Sequence, residues 1–181
     1  MNQRHRLVFS GSGGQGVITA AIILAEAAAI HEGRNVVQTQ AYGAAARGGA
    51  TRSDVIISDA AINYPKVNQP NILVCLTQEA YGKFAGIIRP GGLLIVDKRF
   101  VKLHKKVDAV QYELAMYAST MDKIGKPIVF NVCMMGAVIG LTRVVSVESV
   151  EKVLEQRLPP ALMDINRQAL QVGYELGLNI K

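Results

Sequence analysis

The sequence has no tryptophan, only two cysteines, and few aromatic residues, which make up 6% of the chain. Cys75 and Cys133 belong to no CxxC or CxxxC motif, so they do not suffice for an iron–sulfur cluster or a structural zinc site. Both lie in apolar runs, which indicates buried, inert thiols. No apolar run reaches the ~18 residues of a membrane span, and the basic N-terminus leads into a strand-like segment rather than a signal sequence. We therefore expect a cytoplasmic protein with no membrane association.

The composition favours a folded α/β protein with acidic partners. Half of the 181 residues are hydrophobic and 19% are charged, which is enough for a buried core and excludes a disordered chain. The net charge of +6 suggests phosphorylated cofactors, an acidic electron carrier, another subunit or nucleic acid. Nucleic acid is not expected, because zinc spacing, RNP-like aromatic motifs and a clear helix-turn-helix are missing. The three histidines have no metal-ligand spacing, so we expect no metal site.

Apolar runs and helical segments alternate along the chain. RLVFS (6–10) predicts a strand that ends at glycines, 15–31 predicts a helix, and NVVQTQ (35–40) predicts a second strand, so the chain opens with a βαβ pattern. We predict one domain over 1–181: an α/β, doubly wound, Rossmann-like fold with a mostly parallel sheet and helices on both faces. Further strands are expected at 53–58, at 71–76, after a turn within 89–97, and at AVQYEL. Further helices are expected after Thr77, at AMYASTMDKIG, and over 128–145, 146–158 and 161–177.

Three glycines stand at G-x-G-x-x-G spacing between the first strand and the first helix: Gly11, Gly13 and Gly16. In dinucleotide folds such glycines allow a tight turn, approach of a diphosphate and close packing of helix on strand. The free N–H groups at the helix start favour an anion. The alternative is that these glycines only allow tight packing.

The next requirement of an NAD site is not met. Such a site expects an acidic residue roughly 20 positions on, at the end of the second strand, to bind the ribose. Here the strand ends in QTQAYG, where Gln38, Gln40 and Tyr42 offer no carboxylate. A P-loop Lys-Ser/Thr pair is also missing, which disfavours ATP. A stand-alone NAD(P)-binding oxidoreductase is therefore kept only as an alternative.

A second glycine-rich segment, AYGAAARGGATRS, covers 41–53. The neighbours of Arg47 are too small to cover its guanidinium, which is suited to phosphate or carboxylate. Gly43, Gly48 and Gly49 indicate a shaped turn. The alternative is a mobile surface loop in which the charge of Arg47 has no functional role.

Three segments of the chain together resemble the gamma subunit of the 2-oxoacid:ferredoxin oxidoreductases: GSGGQGVITAAIILAEAA, VQTQAYGAAARGGATRSDVIISD and IRPGGLLIVD. The resemblance covers nearly the whole chain and is nearest to the 2-oxoglutarate type, followed by the branched-chain and pyruvate types. The family usually carries an acidic residue two positions before the arginine, where this chain has Ala45. Any polar contact from that acid is absent here.

The resemblance implies a reaction that joins a 2-oxoacid to coenzyme A (CoA), releases carbon dioxide and passes two electrons to ferredoxin. It needs thiamine diphosphate, magnesium and iron–sulfur clusters, which the family carries on separate alpha, beta and delta subunits. Because this chain has no GDG-type segment and no cysteine cluster, we expect it to be inactive alone and to hold no catalytic residue.

The gamma fold has been associated with CoA binding, so the resemblance gives the glycine segments a role without NAD. The expected contacts are Gly11, Ser12, Gly13, Gly14, Gln15, Gly16, Tyr42 and Arg47. The basic segment KRFVKLHKK (98–106) either steers an acidic partner or CoA, or is a solvated loop. A non-enzymatic interaction module is the remaining alternative.

Overall fold

The structure of the chain, a computed structural model, describes residues 3–41 and 49–180. These residues form a single α/β domain around a six-stranded sheet. The strands are β1 (Arg4–Gly11), β2 (Asn35–Ala41), β3 (Thr51–Ser58), β4 (Ile72–Cys75), β5 (Gly92–Asp97) and β6 (Ala109–Leu114).

Six α-helices in the described ranges cover the sheet. They are α1 (Val17–Glu26), α2 (Gln78–Phe84), α3 (Met116–Lys123), α4 (Phe130–Thr142), α5 (Val147–Arg157) and α6 (Pro160–Leu178). Short 3₁₀ turns follow α2 and precede α4, so α4 is shorter than the predicted 128–145. Among the described residues, no helix is both long and apolar enough to cross a membrane.

The strand order is β2-β3-β1-β4-β5-β6. The pairs β1–β4, β4–β5 and β5–β6 are parallel, whereas β3 is antiparallel to both β1 and β2, so the predicted mostly parallel sheet is confirmed. The opening βαβ pattern does not place its two strands side by side, because β3 lies between them. Burial explains this order: β3 is buried along nearly its whole length, while the glutamine- and threonine-containing β2 is partly exposed and suits the edge.

Helices cover both faces of the sheet, as predicted, but unequally. On one face, Leu7 and Phe9 of β1 pack under α1 and the α3–α6 layer. On the other face, Val8 and Leu73 pack against α2, whose Tyr81 is fully buried. Alternation of strand side chains between the two faces therefore produces two hydrophobic cores. The two cysteines are buried, which confirms that expectation.

Helices α4 and α6 pack backbone against backbone. A Cβ atom on Gly173 would lie 1.8 Å from the carbonyl oxygen of Cys133, and one on Gly136 would lie 2.2 Å from that of Leu170. Gly140 and Gly177 repeat these close approaches one turn further along. The contact is possible only because these positions have no side chain. It fixes α4, whose first turn faces the glycine segment after β1.

Candidate functional site

The segment 12–16 between β1 and α1, called the glycine turn here, lies at the carboxyl edge of the parallel strands. Gln15 holds it in shape: the Ser12 N–H donates to Gln15 Oε1 at 2.8 Å, and Gln15 Nε2 donates to the Leu76 carbonyl at 3.2 Å. The Gln15 N–H also donates to the Ser12 carbonyl at 3.3 Å. Gln15, expected to contact a ligand, thus also links the turn to the end of β4.

Two of the motif glycines are closely packed. A Cβ atom on Gly11 would lie 2.5 Å from Gln15 Oε1, and one on Gly16 would lie 2.7 Å from Asn131 Nδ2. Gly16 also has φ +70°, a conformation that side chains disfavour. Close packing gives a reason for glycine at these two positions, and their expected ligand contacts stay predictions.

Gly13 and Gly14 are in a different situation. Both are exposed, and a Cβ atom on either would meet nothing within 4 Å. Their N–H groups have no acceptor among the described residues. Helix α1 begins with neither a side-chain cap nor an acidic residue in its first turn, so its free N–H groups face no carboxylate there. This part of the turn has the open, positive character that an anion requires.

Tyr42 and Arg47 lie outside the described residues, so the structure tests neither. The ends of their segment are described: Ala41 pairs with Arg52 on β3, and Thr51 pairs with Gly11. Of the two described ends, Thr51 therefore lies next to the glycine turn, whereas Ala41 lies one strand further out. Arg52, the other arginine of this segment, forms an ion pair with Asp54 at 2.6 Å and lies over the Phe84 ring.

A pocket of about 400 Å³ adjoins the glycine turn on the side of α3 and α4. Three rings form part of its wall and meet edge to face, with centroids 5.0 Å apart for Phe100–Tyr117 and 5.5 Å for Tyr117–Phe130. Asn131 adds an amide beside Gly16. We call this the aromatic pocket; its lining consists of Gly14, Gln15, Gly16, Phe100, Tyr117, Pro127, Ile128, Phe130 and Asn131. Sequence reasoning missed it because the rings come from three separated segments.

A buried carboxylate fixes the loop that carries Phe100. Asp97, at the end of β5, is fully buried and accepts from the Arg99 N–H at 2.9 Å and the Tyr117 N–H at 2.7 Å. Burial raises the pKa of Asp97, while these two hydrogen bonds and the nearby Arg99 charge oppose the rise. Asp97 thereby joins the start of the basic segment to the start of α3.

The chain matches the model of the pyruvate ferredoxin/flavodoxin oxidoreductase family over residues 6–176. The chain belongs to this family. Membership confirms the family, and the class of oxidoreductase, predicted from the two glycine segments.

Similarity to individual proteins extends over nearly the whole chain. The 2-oxoglutarate synthase subunit KorC of Methanocaldococcus jannaschii is 43% identical over 97% of this chain and 95% of its own length. The keto/oxoacid ferredoxin oxidoreductase gamma subunit of Geobacter sulfurreducens superposes with a TM-score of 0.88 at 40% identity, covering 97% of each chain.

A larger protein contains the same fold. The 2-oxoglutarate:ferredoxin oxidoreductase of Magnetococcus marinus, solved with 2-oxoglutarate, coenzyme A and succinyl-CoA bound, superposes with a TM-score of 0.86. The match covers 99% of this chain but 32% of that one, at 19% identity. This likeness shows the fold alone.

Proposed function

We propose that the chain is the gamma-type subunit of a heteromeric 2-oxoglutarate:ferredoxin oxidoreductase. The complex converts 2-oxoglutarate, CoA and oxidised ferredoxin into succinyl-CoA, carbon dioxide and reduced ferredoxin. The observation that carries this proposal is the 43% identity, over nearly full length on both sides, to a subunit named for 2-oxoglutarate. Branched-chain 2-oxoacids and pyruvate are the alternative substrates.

Thiamine diphosphate, magnesium and iron–sulfur clusters belong to the alpha, beta and delta partners in this proposal. The cysteine content supports this division, because two thiols in separate apolar segments do not make a cluster site. Burial also raises the pKa of both thiols, which disfavours the thiolate form that binds metals. In this proposal, ferredoxin is a partner of the assembled complex.

One exposed apolar side chain beside the aromatic pocket supports a role as a subunit. Ile128 is 80% exposed beside the aromatic pocket, and Ile30 is 62% exposed at the end of the π-helical turn Ala27–His31 that follows α1. Ile128 adjoins Pro127 and the rings of the aromatic pocket, so it extends a contiguous apolar surface of the kind that contacts a partner. A single exposed side chain such as Ile30 is common on protein surfaces and adds no support.

The glycine turn is proposed to bind the diphosphate of CoA. The exposed Gly13 and Gly14 leave the backbone open to a phosphate, and the start of α1 adds free N–H groups. The aromatic pocket beside it has the apolar walls and sparse amides of a small-molecule site.

The strand order argues against the stand-alone NAD(P) alternative. Because β3 lies between β1 and β2, the end of β2 is two strand spacings, about 10 Å, from β1. Gln38, one of the β2 residues that stand where an acid would be needed, donates to the Ser53 hydroxyl at 2.8 Å. Among the described residues, the end of β2 therefore offers no ribose-binding acid of the dinucleotide type.

The test compares the purified chain with the complex co-expressed from its proposed alpha, beta and delta partners. We expect 2-oxoglutarate- and CoA-dependent reduction of ferredoxin by the complex and none by the chain alone. Gly13→Ala in the complex should weaken CoA binding several-fold, because a methyl group would occupy the open face of the turn. Turnover by the chain alone, tight NAD(P) binding, or preference for another 2-oxoacid would overturn the corresponding part of the proposal.

A further inference from the structure

We infer that the basic segment, through Arg99, recognises the 3′-phosphate of CoA while the aromatic pocket takes the adenine ring. The inference rests on the proposed CoA role of the glycine turn and adds the part of the ligand that this chain distinguishes. The first observation is the positive charge of the basic segment. Residues 98–106 contain no carboxylate and five cations, namely Lys98, Arg99, Lys102, Lys105 and Lys106.

Four of these five cations remain available for a ligand. Within residues 3–41 and 49–180, none of the five forms an ion pair with a carboxylate, whereas Arg34, Arg52 and Arg157 each do. Lys105 is held instead by a hydrogen bond to the Gly82 carbonyl. Lys98, Arg99, Lys102 and Lys106 are exposed. The segment therefore presents a surplus of positive charge to solvent, with the buried Asp97 as a carboxylate near Lys98 and Arg99.

The segment is a built surface rather than a loosely solvated loop. The buried Tyr81 hydroxyl accepts from the His104 N–H at 3.2 Å and the Lys105 N–H at 3.0 Å. Gln78 accepts from the Lys102 N–H at 2.8 Å. Asp97 anchors the other end through the Arg99 N–H. Because fixed backbone positions its side chains, binding here loses less conformational entropy than binding to a mobile loop.

Arg99 lies where the basic segment meets the aromatic pocket. Its guanidinium carbon is 4.8 Å from the ring centroid of Tyr117 and 5.9 Å from that of Phe100, both of which line the pocket. The Asp97 carboxylate accepts hydrogen bonds from the backbone N–H groups of both Arg99 and Tyr117. One buried group therefore positions the backbone of the residue with the guanidinium and of the residue with the ring. Stacked Arg keeps its N–H groups free at the edge for a phosphate.

This arrangement matches one part of CoA. Its adenine is a flat aromatic ring with a polar edge, and the 3′-phosphate on the adjoining ribose carries up to two negative charges. With the diphosphate on the glycine turn, the ring enters the aromatic pocket, which borders both Gly14 and Tyr117, and the 3′-phosphate reaches Arg99 at its rim. 3′-Dephospho-CoA lacks only this phosphate, so it isolates the contact.

The experiment measures the dissociation constants of CoA and 3′-dephospho-CoA for the assembled complex by calorimetry. The variants are Arg99→Ala, Arg99→Lys and, as a matched control, Arg89→Ala, an exposed arginine before the opposite end of β5. We expect the unmodified complex to prefer CoA and Arg99→Ala to weaken CoA binding about tenfold or more, as for loss of a charge-assisted contact. 3′-Dephospho-CoA binding should change little. Arg99→Lys should retain part of the preference, and Arg89→Ala all of it.

Two outcomes separate this inference from the proposed function. If CoA binds and Gly13→Ala weakens it, but Arg99→Ala changes both ligands equally or neither, the phosphate assignment is wrong and the CoA role stands. If the complex binds no CoA through this chain, so that neither variant has an effect, both are wrong.

Discussion

Gly16 and Asn131 are in direct contact, although 115 positions separate them in the sequence: Asn131 Nδ2 donates to the Gly16 carbonyl at 3.5 Å. Gly16, which immediately precedes α1, therefore packs on the first turn of α4. Helix α4 is held against α6 by the close contacts of glycines with backbone atoms. The conformation of the glycine turn is thus set by the helical layer behind it and not by the turn alone.

Gly16→Ala should destabilise the fold. A Cβ atom there would lie 2.7 Å from Asn131 Nδ2, and the φ of +70° is unfavourable for alanine. The expected loss is on the order of 2 kcal/mol in the free energy of unfolding, measured by urea denaturation. Gly13→Ala is the matched control, because its Cβ atom would meet nothing within 4 Å. Equal stability of the two variants would contradict the packing role of Gly16.

The same two glycines show what could be predicted from the sequence. Their motif correctly indicated a strand–turn–helix, and with the second segment it indicated the family. Which glycine is open and which is packed depends on Asn131, far along the chain, which local spacing does not encode.

The strand order and the aromatic pocket could not be predicted from the sequence, because both depend on which distant segments pack together. Hydrophobic periodicity predicts that a strand exists but not its neighbour, so the insertion of β3 between β1 and β2 was not predicted. Phe100, Tyr117 and Phe130 come together only through the packing of three elements. Tyr42 and Arg47 stay predictions, since they lie outside the described residues.

Gly173→Ala should be among the most damaging small substitutions in the described chain. Its Cβ atom would lie 1.8 Å from the Cys133 carbonyl, so α6 and α4 would have to separate. Overpacking against backbone of this kind costs about 3 kcal/mol or more, which thermal or urea unfolding would detect. Gly82→Ala in α2 is the control: it has open space around it, and alanine there should stabilise the helix by about 1 kcal/mol. A well-tolerated Gly173→Ala would disprove the close α4–α6 contact.

Both cysteines should resist alkylation in the native protein. Burial raises the pKa of Cys75 to about 12 and that of Cys133 to about 11, so neither is a thiolate near neutral pH, and both are inaccessible. Mass spectrometry after iodoacetamide treatment at pH 7.5 should find neither modified, and both modified after denaturation. Rapid labelling of either thiol in the folded chain would contradict the burial described here.

The Glu26–Arg157 ion pair, which joins α1 to α5, should make a small pH-dependent contribution to stability. The hydrogen bond from Arg157 lowers the pKa of Glu26, with a Nε–Oε2 distance of 2.6 Å. Because the pKa of Glu26 is lower in the folded protein than in the unfolded chain, the ion pair stabilises the folded state at pH values above the ordinary pKa of about 4.3. This stabilisation is lost as the pH falls through the lower, folded-state pKa. Since both side chains are about a third exposed, we expect no more than about 0.5 kcal/mol. Glu26→Gln should therefore cost this amount at pH 7 and almost nothing at pH 2.5 in urea titrations, whereas a pH-independent cost would exclude the ion pair as its source.

Arg47 gives the sharpest test of the second glycine segment. Thr51, which follows this segment, pairs with Gly11 next to the glycine turn, so we expect a charge within the segment to meet the same ligand. A charge-assisted contact contributes about 1.5–3 kcal/mol, so Arg47→Ala in the assembled complex should lower CoA-dependent turnover about tenfold or more. Arg47→Lys should restore only part of it, because an ammonium lacks the paired N–H geometry of a guanidinium. The 2-oxoglutarate-dependent step measured by rapid mixing before CoA is added should be unchanged, since the expected contact is to CoA. If Arg47→Ala leaves both the apparent affinity for CoA and the turnover unaltered in a correctly assembled complex, Arg47 is not a ligand contact and the segment has only a structural role.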